Sequence, residues 1–284
     1  MRKIGIFVNP DRDPELYHLH RVIDQLKAAG YSYAVSGCDL ETNTSFPFCT
    51  PEECFTDAEL VLTLGGDGTL LRAASHAVEH SVPLLGINLG HLGFLAEMEE
   101  NEIDRLPHYL KMPPVISHRM MLKIQVLRED RCISEAVALN DAVLRSQRGK
   151  PADIIVADDN GDLLDYLCDG FIVASPTGST AYSMSAGGPI LDPDSGNMVV
   201  TPICPHTLGS RSVVFDSDER SLYLTVRNAD RIEAHLEYDG NDWGCLHNGD
   251  VVRVSRYEKT LHLIRIHHES FYKVLNDKIS RRKI

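Results

Sequence analysis

VLTLGGDGTLLR, residues 61–72, is the stretch whose reading decides the fold. VLTL is a short apolar run of the kind that forms a buried strand. Gly65, Gly66 and Gly68 then remove side chains from a sharp turn, which lets backbone N–H groups approach a ligand. From Thr69 the run TLLRAASHAV sets Leu70, Ala73, Ala74 and Ala77 at helical spacing. The expected unit is strand, glycine turn, helix, with the helix N-terminus facing the turn and favouring phosphate. One carboxylate, Asp67, lies inside the turn. A loop that only cradled phosphate would repel it. Its presence points to a base that takes a proton from a hydroxyl about to receive a phosphoryl group. The competing reading is a tight strand-to-helix turn with Asp67 as helix N-cap. The pattern is neither G-x-G-x-x-G nor G-x-x-x-x-G-K-[ST].

Outward from this turn, the N-terminal part alternates strands and helices. KIGIFV (3–8) reads as a buried first strand. Glu15 to Ala29 follows as a helix with Leu16, Leu19, Val22, Ile23 and Leu26 on one face and Gly30 as its stop. YSYAV reads as a second strand, 36–57 as irregular, and VPLLGIN (82–88) as a further strand. Alternation of this kind builds a parallel α/β sheet, whose ligands bind beyond the carboxyl ends of the strands. The glycine turn and NLGHLGFL (88–95) both lie at such ends.

After about residue 98 the pattern changes. IDRLPHYL leads to Pro113-Pro114, expected to be a linker. MLKIQVL, AVALNDAVL, DIIVAD, FIVAS, VVFD, SLYLTV, IEAHLEY, DVVRVS and LHLIRI are short β-rich runs separated by turn residues. The expected organisation is a Rossmann-like α/β domain over 1–98, a mostly β domain over 99–267, and a C-terminal helix over 268–284 returning to the first domain.

Three stretches of the β region carry polar residues that strands do not need. Asn140-Asp141 interrupts an apolar pattern, for which a turn is the plain explanation. In DGFIVASPTGSTAYSMSAGGPIL (169–191) a strand enters a Ser/Thr/Gly turn and then a short helix of small residues. Small residues admit a flat ligand, and hydroxyls with helix N–H groups can bind a diphosphate; the alternative is a small-residue helix packed close to a neighbour. EYDGND (237–242) reads as a hairpin turn.

Composition narrows the function. Lys+Arg 28 against Asp+Glu 41 gives a net charge of −13, which argues against general binding of nucleic acid or of anionic membranes. Seven cysteines without a C-x-x-C or a zinc spacing, and no secretory leader pattern at MRKIGIFVNP, point to a reducing cytoplasm. No apolar run approaches a membrane span. The thirteen histidines form no H-E-x-x-H or similar metal spacing.

LGGDGTLLRAA, PLLGINLGHLGFLAE, ALNDAVL and DGFIVASPTGSTAYSMSAGGPI, in this order and spacing, resemble the NAD kinases. The resemblance implies transfer of a phosphoryl group from ATP, or from inorganic polyphosphate, to the 2′-hydroxyl of the adenosine ribose of NAD. It implies an α/β domain and a β domain with the site between them, Mg²⁺ beside the donor phosphates, and a homo-oligomer. Asp67 matches the family's proton acceptor, with Gly66, Gly68 and Thr69 around the donor phosphates. Asn140 and Asp141 match an Asn-Glu pair that holds the dinucleotide. Asp169, Thr180, Ala181, Tyr182 and Ser185 match dinucleotide-contacting positions, with Thr177 and Phe94 close by. Asn241 falls where many members have Gln. Asp141 is one methylene shorter than the usual Glu, and Ser175 replaces a common Thr. No metal ligand is assigned. Two other readings share part of the pattern: a lipid kinase of the diacylglycerol or sphingosine kinase type, and a non-catalytic NAD(P)-binding sensor.

Overall fold

The computed structural model describes residues 2–38, 46–90, 93–147, 149–207, 209–218, 220–267 and 269–281. Part of the irregular 36–57 stretch, His91 and Leu92 of the 88–95 segment, His268 and the last three residues lie outside that set. The chain divides into two compact units, Met1–His118 with Leu261–Ile284, and Arg119–Thr260.

In the first unit, β1 (Lys3–Val8) pairs in parallel with β2 (Ser32–Gly37) and β3 (Leu60–Gly65), and β3 pairs in parallel with β4 (Leu84–Asn88). Every residue of β3 and β4 is buried, as expected of parallel strands covered on both faces. Helix α1 (Tyr17–Ala28) buries Leu19, Val22, Ile23 and Leu26. It starts two residues later than the apolar period suggests. Leu16 is left-handed at φ 53°, and the Asp13 carboxylate accepts the N–H groups of His18 and Leu19 at 3.2 and 2.9 Å. Helix α2 (Pro51–Phe55) is held by a capping box between Thr50 and Glu53, within a stretch that sequence periodicity leaves irregular. Helix α3 (Asp67–His80) follows β3 directly and buries Leu70, Ala73, Ala74 and Ala77. Gly65 and Asn88 are register partners, so the glycine turn and the segment after β4 leave the sheet side by side.

The first unit does not end at residue 98. Met98–Glu99 adds to β4 in parallel, and Ile103 and Leu106 are fully buried in this unit's core. Tyr109 and Leu110 pack on the same core, which ties down the chain ahead of Pro113-Pro114. The division falls instead inside the strand Val115–Arg128. Returning chain joins the first unit from Leu261, earlier than residue 268, because Leu263 pairs with Leu84 and Ile264 and Ile266 pack on the core.

The second unit is almost wholly antiparallel. One layer places Gly161–Cys168, Ala152–Asp158, Ser221–Val226 and the first part of Val251–Arg265 side by side. The other has the order Val213–Asp216, Asn197–Ile203, Gly170–Ala174, Asp141–Ser146, Ala234–Tyr238, Asn241–Cys245. Alternate side chains of both meet in one core that includes Leu144, Phe171, Val173, Val200, Leu224 and Val254. Enclosing Phe171 alone contributes roughly 1.5–3 kcal/mol. DVVRVS and LHLIRI form a single strand; the polar stretch between them is solvent-facing and hides the continuity.

Candidate active site

The glycine turn separates into glycines the fold needs and glycines it does not. Gly65 has φ +155°, and a Cβ there would lie 2.1 Å from Thr69 Oγ1. Gly66 and Gly68 have no positive φ and nothing within 4 Å of a Cβ position. Packing therefore accounts for Gly65 only, and the absence of side chains at Gly66 and Gly68 leaves the start of α3 open. The first N–H groups of a helix have no intrahelical acceptor, so this opening presents donors to an anion. Thr69 Oγ1 is buried without a hydrogen-bond partner.

Asp67 is the first helical residue. The N-cap is Gly66, with no side-chain cap bond, so Asp67 does not cap the helix. Its carboxylate turns to the chain after β4: Oδ2 accepts the Phe94 N–H at 2.6 Å and Oδ1 accepts the Leu95 N–H at 3.1 Å. Gly93 lies so close that a Cβ would sit 2.0 Å from Asp67 Oδ1. Two backbone donors thus fix the orientation of the carboxylate and leave each oxygen a further lone pair.

In the second unit, residues 139–141 form a bend held from two sides. From one side, Asp239 accepts the N–H groups of Leu139 and Asn140, each at 2.7 Å, and of Asp141 at 3.2 Å. From the other, Ser175 donates its hydroxyl to Leu139 O and its N–H to Asn140 O at 2.8 Å. A Cβ on Gly178 would lie 2.0 Å from Asn140 O, so this glycine serves backbone-to-backbone packing. Asp141 is 5% exposed. Burial, and after it the neighbouring Asp239 carboxylate, pushes its carboxyl up to about 7, against the pull of Arg145. The shorter side chain therefore does not simply keep the charge of the family's Glu.

The 175–185 segment is more enclosed than a ligand-facing loop needs to be. Ser179 Oγ donates to Pro176 O at 2.6 Å and accepts the Leu191 N–H at 2.9 Å, and Thr180 Oγ1 donates to Thr177 O at 3.0 Å. Thr177 Oγ1 is buried without a hydrogen-bond partner. The helix expected here has four residues, Tyr182–Ser185, too few for an anion-binding N-terminus of useful dipole. Ala181 is half-buried and Ser185 exposed. The Tyr182 ring lies under the Arg145 guanidinium, 4.8 Å from its centroid, and Arg145 pairs with Glu237 at 3.5 Å.

Asp169 is not beside these groups. It precedes the strand Gly170–Ala174, whereas Ser175 follows it. That places them roughly 15–20 Å apart along the strand. Its carboxylate contacts His206 Nε2 at 2.9 Å. Between the two ends, Asp141, Val143 and Arg145 share one face, since alternate residues of a strand do. Asn241 opens the last strand of the sheet and is exposed.

Sequence reasoning missed Gly93, Asp239 and Arg145. The Asp-Gly in EYDGND reads as a hairpin and is one, with Asp239 at φ 46°. Its carboxylate also anchors the 139–141 bend, and no local pattern shows that. Among the described residues no three His, Cys, Asp or Glu side chains gather to hold a metal. Mg²⁺ commonly takes only one or two carboxylates and otherwise substrate phosphates and water, so a donor-borne ion is compatible with these residues.

The ATP-NAD kinase N-terminal domain matches residues 4–110, and the ATP-NAD kinase C-terminal domain matches 139–266. The chain belongs to the NAD kinase family. The first match contains the glycine turn, Asp67 and Phe94; the second contains every candidate from Asn140 to Asn241. An NAD kinase of Ruminiclostridium cellulolyticum is 35% identical over 286 residues, covering 100% of this chain and 99% of that one. One of Symbiobacterium thermophilum is 37% identical over 284 residues, covering 99% of each. The fold is that of two solved structures. Yeast NADH kinase complexed with NADH has a TM-score of 0.82 at 22% identity, covering 100% of this chain and 89% of that one. An NAD kinase from Archaeoglobus fulgidus in complex with ATP has a TM-score of 0.75 at 23% identity, covering 99% of each. As an NAD kinase family member, the chain is a phosphotransferase.

Proposed function

We propose that this chain makes NADP, moving the γ-phosphoryl of ATP or a phosphoryl of polyphosphate onto the 2′-hydroxyl of the adenosine ribose of NAD. The observation that carries the reading is the Asp67 carboxylate, oriented by the Phe94 and Leu95 N–H groups beside two glycines that packing does not require. As the ribose oxygen bonds to phosphorus and the donor's bridging P–O bond breaks, the hydroxyl proton passes to Asp67. Gly66 and Gly68 leave backbone N–H groups open to the phosphates, and Thr69 follows them in the same first turn. Phe94 lines the acceptor side through its backbone bond to Asp67. Mg²⁺, when bound with the donor, offsets phosphate charge.

The dinucleotide is held by the second unit. Asn140 and Asp141 sit on a bend fixed by Asp239 and Ser175, and Thr177 offers an unsatisfied hydroxyl. Thr180, Ala181, Tyr182 and Ser185 form the segment alongside. Asp169 and Asn241 reach the dinucleotide at separate points, Asp169 from the far end of its strand. A homo-oligomer is part of the reading, as is a reducing cytoplasm, with which the seven free cysteines agree. No described helix is long and apolar enough to cross a membrane. Incubation with NAD, Mg²⁺ and either ATP or polyphosphate, scored as NADP formed, tests the activity and its donor together. No NADP with either donor would leave the chain a binder of the dinucleotide only.

A further inference from the structure

Cys245 stands directly opposite His235 in the hairpin formed by Ala234–Tyr238 and Asn241–Cys245. Its Sγ is 3.6 Å from His235 Nδ1, and the other ring nitrogen, Nε2, meets the Asp242 carboxylate. Asp242 and Cys245 are three residues apart, which in a regular strand would send them to opposite faces. A β-bulge prevents this. The register runs His235 to Cys245 and Leu236 to Gly244, then jumps so that Glu237 faces Asp242. Trp243 is the extra residue, Gly244 takes φ +118°, and Trp243 Nε1 donates to Ser134 Oγ at 3.0 Å. The bulge thus brings a carboxylate, an imidazole and a thiol onto one face. Arg145, the register partner of His235 on the next strand, Glu237, two residues along from His235, and Asp141, four residues before Arg145 on its strand, also carry titratable or charged groups on that face.

We infer that Cys245, His235 and Asp242 form a reactive-thiol site that takes hydroperoxides and other soft electrophiles. The inference does not depend on the phosphoryl-transfer reading. Asp242 accepts the Nε2 proton, which leaves Nδ1 as the acceptor facing sulfur. The Cys245 proton moves to Nδ1, and the thiolate is the nucleophile. With hydrogen peroxide, sulfur bonds to one oxygen as the O–O bond breaks. Sulfur is oxidised by two electrons, the departing hydroxide takes the imidazolium proton, and the products are sulfenic acid and water. Cys245 is exposed, so reagent has access. The oxidised sulfur would project from the face that carries Arg145, the residue stacked on Tyr182.

The test uses brief iodoacetamide labelling of the full chain at pH 6.5, where an ordinary thiol is only about 1% thiolate, read peptide by peptide. Cys132 and Cys204, also exposed, are the internal reference, and buried Cys54 and Cys168 stay unlabelled while the protein is folded. We expect Cys245 to react at least tenfold faster than Cys132 or Cys204. His235→Gln should bring it to the reference rate, and Asp242→Asn should slow it severalfold. A peroxide pulse followed by a 1,3-dione trap should place the sulfenic acid at Cys245. Should His235→Gln lose the protection of Cys54 and Cys168, the mostly exposed Asp242 position carries the comparison. Equal rates at all three exposed cysteines, or a Cys245 rate indifferent to both substitutions, would overturn the inference.

Discussion

The Asp239 carboxylate accepts the backbone N–H of Asn140 at 2.7 Å, across a sequence separation of 99 residues. The same carboxylate takes the N–H groups on either side, so one side chain sets the shape of the bend carrying Asn140 and Asp141. Asp239→Ala leaves these donors without an acceptor, at about 1–3 kcal/mol for each that stays buried. Unfolding in denaturant should show a loss of that order, and KM for NAD should rise with kcat less affected. Asp239→Asn, which keeps one acceptor oxygen, should fall between the two proteins. A stability loss with KM for NAD unchanged would make Asp239 a purely structural anchor.

At Asp67, replacement by Asn keeps the size but cannot take a proton, and its NH₂ group faces one of two backbone donors. General-base catalysis contributes roughly 10²- to 10⁴-fold, so kcat should fall by about that factor while NAD affinity changes little. Stopped-time NADP formation and calorimetric titration of NAD check both halves. Retention of more than about a third of wild-type kcat would remove Asp67 as the base.

Two glycines near Asp67 make a matched pair of controls. A methyl at Gly93 would collide with the Asp67 carboxylate, whereas one at Gly66 meets nothing. Gly93→Ala should lower both melting temperature and kcat. Gly66→Ala should hold its melting temperature within a few degrees and raise KM for the phosphoryl donor. An unchanged donor KM in Gly66→Ala would mean that no phosphate approaches that backbone.

Asp141 predicts a pH dependence. Its carboxyl is raised from 3.8 to about 7, chiefly by burial. The folded protein therefore holds the proton more tightly than the unfolded chain. The stabilisation is complete below pH 3.8 and is lost as pH rises through 7, with an upper bound on the order of 4 kcal/mol. Asp141→Asn is uncharged throughout. Its melting temperature should match wild type near pH 4 and exceed it increasingly from pH 5 to 8. Parallel curves for the two proteins across that range would show that Asp141 is ionised in the fold.

Tyr182 has Arg145 over its ring. If the ring also lies against a ring of the dinucleotide, Tyr182→Ala should weaken NAD by about tenfold or more, and Tyr182→Phe only mildly, since stacking contributes roughly 0.5–1.5 kcal/mol beyond burial. Calorimetry showing equal NAD affinity in Tyr182→Ala would leave the residue a packing partner of Arg145.

The sequence by itself determined the elements whose causes are local. Strand, glycine turn and helix over 61–80 follow from apolar period, backbone freedom at glycine and helical spacing, all within one stretch. The parallel first sheet and the antiparallel second unit follow from how such elements alternate. Tertiary structure decided what depends on pairing across long separations. Whether Asp67 caps its helix or turns to Phe94 depends on where the chain after β4 passes. Whether Asp239 merely turns a hairpin or anchors Asn140 depends on the register of Ala234–Tyr238 against Asp141–Ser146. The charge of Asp141 depends on its burial beside a second carboxylate. Asp169, close in sequence to Ser175, is held away from it by the length of one extended strand. A carboxylate's role is set by its surroundings, and those come from strand register that side-chain period alone does not encode.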